Sequence, residues 1–197
     1  MDLSTAILTG LGLAAAAGLN AYIPLLVVGL LGAVDWIALP EPYSLLANPW
    51  VLAVVAVLLA VEVLADKIPA VDSANDVIGT VVRPAAGAVL FAASTGVTGS
   101  LSPELSLVLG LVTAGAVHGT KAAARPVLNA GTAGAAAPVV STVEDAVSFG
   151  LALVAIFVPI AVVLFLVVFT VWAVRAIRRR RSHRAAPVSG DSRLGSG

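Results

Sequence analysis

"AAAAGLNAYIPLLVVGLLG", Ala14–Gly32, decides how this chain is read. It lies inside an apolar run, Leu3–Val34, yet carries an asparagine, a tyrosine and a proline in its middle. As one helix the 32 residues of that run would extend about 48 Å, against a hydrocarbon core of about 30 Å. The run must tilt, protrude or break. Pro24 has no N–H to donate, and its ring pushes away the carbonyl of Asn20. Gly18 loosens the same turn. The sequence therefore predicts a helix break between Gly18 and Pro24. A carbonyl freed at membrane depth must meet protein, water or solute. Two readings stay open: the break lines a polar cavity, or it is a kink packed against a neighbour.

The rest of the chain supports a membrane setting. Of 197 residues, 59% are hydrophobic and 11% charged, where a soluble domain has about 25% charged. Mean hydropathy is +1.05. The N-terminus has Asp2 and no nearby Lys or Arg, which argues against a cleaved signal peptide. The zero net charge hides a split. Residues 1–174 hold four basic residues against ten acidic ones, a net −6, whereas residues 175–197 hold seven arginines and one aspartate, a net +6. That arginine tail follows an apolar run directly, which predicts a cytoplasmic end or contact with anionic lipid rather than nucleic acid. With no cysteine, disulfides and thiolate chemistry are excluded.

Further runs follow at Trp50–Ala65, Val77–Ala93 and Leu105–Thr120, and a last one ends at Val174 with Pro159 inside it. "SLSPE" reads as a helix start, with Ser102 as cap and Pro103 first in the helix. "STVED" reads as another, with Ser141 and Glu144 as a capping box. Residues 127–140 are small and weakly apolar, and either cross or re-enter. Counting them as a crossing gives an all-α bundle of about six crossings with both termini cytoplasmic, and places every Lys and Arg inside. The expected division is a membrane domain over 1–174 and a basic, disordered tail over 175–197.

The opening stretch has an echo. Laid over "AVHGTKAAARPVLNAGTAG", Gly18 meets Gly119, Asn20 meets Lys121 and Pro24 meets Pro126. "SANDVIG" similarly aligns Asp76 with Asp145. With six crossings, segments 3–95 and 103–174 would form a 3+3 inverted repeat with broken helices, a build common in secondary transporters. Pro126 would then break its helix as Pro24 does.

The charged residues fall into stripes. Glu62 and Asp66 share a helix face, and so do Asp76 and Arg83; His118, Lys121 and Arg125 form a basic stripe. Ionisable groups at depth cost about 2.5–3.5 kcal/mol each by insertion scales, so the deepest, Glu62 and Arg83, are the most informative. Asn20, Glu62, Asp66, Asp76, Glu144 and Asp145 are candidates for binding a cation, proton or solute. Arg83, His118, Lys121 and Arg125 are candidates for an anion or lipid headgroup. Interhelical ion pairing, Glu62 and Asp66 against Lys121 and Arg125, is the alternative. No H-E-x-x-H or G-x-S-x-G occurs, and "DSAND" lacks the second acidic motif of prenyl transferases, so no catalytic residue or cofactor is assigned.

"GLNAYIPLL", "ADKIPAVDSANDVIGTVVRPAAGA", "HGTKAAARPVLN" and "STVEDAVS" together resemble the bacterial membrane family catalogued as domain of unknown function 4126. The resemblance covers roughly residues 5–165, departs at the alanine-rich 130–138 segment, and implies a membrane location but no activity. "E-x-x-x-D-K" is also similar to the E-x-G-D-K motif of a divalent-cation transporter family, with different spacing and no glycine. The sequence points to a transporter of a small ion or solute in a bacterial inner membrane, expected to be a homo-oligomer. Binding or moving an anionic headgroup is the alternative, and a scaffold the third.

Overall fold

The computed structural model describes residues 2–65, 69–132 and 137–184, without side chains at 69–76, 125–132, 163, 173 and 176–184. The described residues form seven α-helices and no strand, in two compact units, residues 1–163 and 164–197.

In the first unit α1 (Leu3–Leu19) is the central helix, packed on α4 (Pro69–Gly96), α5 (Pro103–Thr132) and α6 (Ala137–Phe157). Ala14 to Ala17 are fully buried. Small side chains let helix backbones approach without a gap. Gly18 serves this contact: a Cβ there would lie 2.6 Å from the Ala114 carbonyl oxygen of α5. It is a packing residue, not a break, because α1 stays helical through Leu19.

The break falls at Asn20–Ala21, and α2 (Tyr22–Ala33) begins just after it. A continuous helix would separate Leu13 from Val28 by about 22 Å. Both instead line one cavity together with Thr9 and Leu39. The chain therefore turns back at Asn20, and α2 returns alongside α1. Pro24 is the third residue of α2, in the first turn, where a missing N–H costs little. α2 ends without glycine. Asp35 takes the left-handed conformation (φ 57°), while Trp36 N–H bonds Leu31 O and Asp35 N–H bonds Gly32 O, a Schellman closure.

A 3-10 turn, Tyr43–Ala47, leads to α3 (Pro49–Ala65). α4 runs up through Pro84, and α5 opens as its sequence predicts, with Leu105 N–H bonding Ser102 Oγ at 3.3 Å. The last apolar run is also interrupted. A Cβ on Gly12 would lie 2.5 Å from Ala155 Cβ and 2.7 Å from Val162 Cγ2, atoms that a straight helix would hold about 10 Å apart. The turn is at Val158–Pro159, before α7 (Ile160–Arg184).

The first unit thus has two ends. One, the loop end, gathers the starts of α1 and α5 and the end of α4: Ser94 Oγ donates to Ala6 O (2.8 Å), and Thr95 Oγ1 lies 2.8 Å from Ser106 Oγ. Asp2, Asp35, Glu41 and Glu104 belong to this end. Asp2 accepts hydrogen bonds from the Ser4 and Thr5 hydroxyls, which hold its carboxyl down at about 2. The other, the turn end, gathers Asn20, Arg83, Lys121 and Glu144.

Several expectations change. Residues 127–132 finish α5 and residues 137–140 begin α6, so 127–140 is not a crossing of its own. α5 continues through Pro126 without a break, and Ser141 lies inside α6 rather than capping it. α1 and α5 start at the same end and run the same way, so the segments carrying the echo are not related by inversion. The reversal at Asn20 is the physical reason. It also puts the start of α1 at the end opposite Arg83 and Lys121.

Val77–Gly96, Pro103–Ala124 and Ala137–Phe157 are each long and apolar enough to cross a bilayer, and four further apolar helices are shorter. These helices mark a membrane protein. In the second unit, residues 164–184 continue α7. Phe165 stacks on Phe169, and Phe169 meets Trp172 at a tilt of 40°, with centroids 6.0 Å apart in each pair, just before exposed Arg175.

Candidate functional site

At the turn end the cost of breaking the first run is met by side chains from far along the chain. Asn20 Oδ1 accepts from the N–H groups of Tyr22 (3.0 Å) and Ile23 (3.2 Å), capping α2. Its Nδ2 donates to Asp145 Oδ1 on α6 at 2.9 Å. Lys121 Nζ, on α5, donates to the Leu19 carbonyl at 3.0 Å and pairs with Glu144 Oε2 at 2.8 Å. Ser148 Oγ bonds the Ala16 carbonyl at 3.0 Å and the Asn20 carbonyl at 3.4 Å. A cation at a helix C-terminus and a capping amide at the next N-terminus both oppose the local dipoles. The freed carbonyls therefore meet protein. Asn20 is 1% exposed, and its amide accepts two hydrogen bonds and donates one, all of them holding the turn.

A second chain of contacts lies beside it. Arg83 Nη2 donates to Glu62 Oε1 at 2.9 Å, and Arg83 Nη1 lies 3.0 Å from His118 Nδ1. His118 Nε2 in turn lies 3.3 Å from Thr80 Oγ1. A guanidinium has donors only, so Nδ1 must accept. This fixes His118 as the neutral tautomer with its proton on Nε2, donating toward Thr80. Arg83, His118 and Glu62 are 1%, 3% and 5% exposed. Glu62 is the buried residue of α3, whose other described side chains are at least partly exposed, so the pair with Arg83 fastens α3 to α4. Tyr22 lies within electrostatic reach of both Glu62 and Arg83.

The structure brings seven predicted residues into contact, in a different pairing from the one expected. Glu62 meets Arg83 and not Lys121, because α3 packs beside α2 and α4. Lys121 meets Glu144, which is therefore an ion-pair partner and not a helix cap. His118 links the arginine to Thr80, and Asn20 holds Asp145. Asp66 and the side chains of Asp76, Arg125 and Pro126 lie outside the described residues. Sequence reasoning missed Thr80 and Ser148. Their signal was spacing: Thr80 is one turn before Arg83, and Ser148 one turn after Asp145. No group of acidic, His or Cys side chains among the described residues has the geometry of a metal site.

This arrangement can exchange partners. Each carboxylate, Glu62, Glu144 and Asp145, faces a donor that a cation or proton could replace, and the neutral imidazole has the chemistry to take up a proton. No curated protein and no solved structure matches the chain. A family model does, across residues 7–179, and the chain belongs to that family, described as "Domain of unknown function (DUF4126)".

Proposed function

We propose that this membrane protein moves a small ion or solute, and that the buried network at the turn end is where that species is handled. Burial of charge is the observation that carries the reading: Glu62, Arg83 and Lys121 are each at most 6% exposed. A bundle that needed only cohesion would be held as well by apolar side chains of similar volume, since a buried ion pair is often no more stable than its apolar replacement. Charge at depth instead favours a site with a substrate. A cation entering here would compete with Arg83 for Glu62 or with Lys121 for Glu144, and His118 would take up or release a proton as Arg83 moves.

Arg83 and Lys121 already face carboxylates and lie buried, which disfavours a lipid headgroup as their ligand. Anionic lipid suits the arginine tail instead. By the positive-inside rule the turn end faces the cytoplasm and Leu3 the opposite side, in a bacterial inner membrane. A chain this small gains an enclosed pathway by pairing with further copies.

The test is flux. Purified protein in proteoliposomes is given gradients of H⁺, Na⁺, K⁺ and Mg²⁺ in turn, followed with ion-sensitive dyes. The comparison is the double variant Glu62→Gln/Arg83→Met, which removes both charges and avoids stranding one. Flux above empty liposomes for one ion, lost in a double variant that still folds, is the expected result. Flux equal to empty liposomes for all four overturns the reading for these cations, and flux unchanged in the double variant overturns the site.

A further inference from the structure

The first hairpin is short for the membrane it sits in. The 17 residues of α1 rise about 26 Å and the 12 of α2 about 18 Å, against a hydrocarbon core of about 30 Å. The neighbours of α1 show at which end the shortfall lies. Along α4 its contacts keep one antiparallel register. Ser94 bonds Ala6, Phe91 Cδ2 lies 3.0 Å from a Cβ on Gly10, and a Cβ on Gly87 would lie 3.5 Å from Ala14 Cα. Continued to Asn20, that register reaches Val81. On α5, Gly18 meets Ala114 and Val117, which sets Asn20 level with His118. On α6, Ser148 bonds Ala16 O, and Asp145 holds Asn20 itself.

The three helices that are long and apolar enough to span the bilayer all continue past this level. Val77–Gly96 does so by about 6 Å, Pro103–Ala124 by about 9 Å and Ala137–Phe157 by about 12 Å. At the other end the Ala6–Ser94 bond brings the start of α1 to the limit of the first of these spans. The shortfall is therefore at the turn end. Polar groups stand partly open there: Glu144 is 16% exposed, and Asp145 and Tyr22 are also partly exposed. A carboxylate open to acyl chains is costly, and irregular backbone at membrane depth persists only where it is buried in protein or lines water. α1 packs on α4, α5 and α6, and among the described residues no helix continues its axis beyond Asn20. The place left by the missing length of α1 is about 10 Å across.

We propose that α1–α2 is a re-entrant hairpin. It enters and leaves the bilayer at the loop end, stops about 6–12 Å inside the turn-end surface, and floors a vestibule filled by water and small hydrated solutes. Water then reaches Glu144, Asp145 and the Tyr22 phenol from the turn end alone, because fully buried Ala14–Ala17 close the axis on the other side. The depth of the hairpin is independent of whether an ion is moved. If the transport reading holds, the vestibule is the approach to its site from that side.

The test compares water and lipid contact at one depth. The chain has two tyrosines, so 3-fluorotyrosine gives two ¹⁹F signals, and Tyr43→Phe assigns that of Tyr22 without altering it. A trifluoromethyl tag on the single thiol of Val143→Cys, 56% exposed on α6 and about 9 Å inside its start, is the reference for the bilayer. Both are measured in nanodiscs with a water-soluble Ni²⁺ chelate and with dissolved oxygen, which concentrates in acyl chains. The ratio of nickel to oxygen relaxation should be several-fold higher at Tyr22 than at the Val143 tag. Nickel dominating at both positions would put the turn at the membrane surface and overturn the proposal. Oxygen dominating at both would leave no vestibule and overturn it equally. Neither outcome involves an ion gradient, so failure here is distinct from failure of the transport reading.

Discussion

Lys121 ends α1: its Nζ sits 3.0 Å from the carbonyl oxygen of Leu19, a residue 102 positions earlier in the chain. The same ammonium holds Glu144 at 2.8 Å. Lys121→Met removes the charge from both, stranding a mostly buried carboxylate and a helix-terminal carbonyl. The expected loss is about 3 kcal/mol, read as a lower melting temperature in detergent. Adding Glu144→Gln to Lys121→Met should restore part of it. A further loss from the double variant would contradict the pairing.

His118 should be neutral with its proton on Nε2. ¹⁵N NMR of histidine-labelled protein at neutral pH distinguishes this tautomer from the other and from imidazolium. Arg83→Met removes the donor that fixes Nδ1 as acceptor, and the spectrum should then show both tautomers. An Nδ1–H signal in the unaltered protein would rule out the contact as described.

The two residues that mark the opening stretch should behave unequally. Asn20→Leu uncaps α2 and releases Asp145, at an expected cost of about 2 kcal/mol. Pro24→Ala changes a first-turn position and should move stability by less than about 1 kcal/mol. Comparable losses would mean that the proline itself makes the turn.

Two glycines of α5 should respond with opposite sign. A Cβ on Gly110 would lie 2.3 Å from the Gly87 carbonyl oxygen and 2.7 Å from Ala88 Cα, both backbone atoms of α4 that cannot swing aside. Gly110→Ala should cost about 1–3 kcal/mol. A Cβ on Gly119 meets nothing within 4 Å, so Gly119→Ala should gain about 0.5–1 kcal/mol from helix propensity. Thermal melts of the two variants side by side give the answer.

The reversal at Asn20 is open to chemical labelling, because the chain has no cysteine of its own. Ser4→Cys, Ser44→Cys and Ser100→Cys should react with a membrane-impermeant maleimide from the same side of intact cells. Ser4 labelled from the side opposite Ser44 would restore a single crossing for the first run.

What could be read from the chain followed from where its signals are local. Helix class, the α5 start at Ser102 and the disruption near Asn20 rest on neighbours in sequence, and all three appear in the fold. The directions of α1 and α2 do not. Proline announces a weak point without saying whether the chain bends or returns, and that choice is made by Lys121, Asp145 and Ser148 from α5 and α6. The same holds for the charges. Spacing placed Glu62 and Arg83 at depth, but which acid meets which base depends on helix neighbours that no local pattern encodes. Pro126 misled for a related reason: it resembled Pro24 in sequence, yet α5 runs through it to Thr132.

The turn at Asn20 also sets an order of events during synthesis. Its partners lie 102, 125 and 132 residues downstream, on segments that leave the ribosome long after α1 and α2 have entered the bilayer. Until Lys121, Asp145 and Ser148 arrive, the carbonyls at the end of α1 and the amide of Asn20 must borrow lipid headgroups or water at the membrane surface. The first hairpin made is therefore the last to be locked.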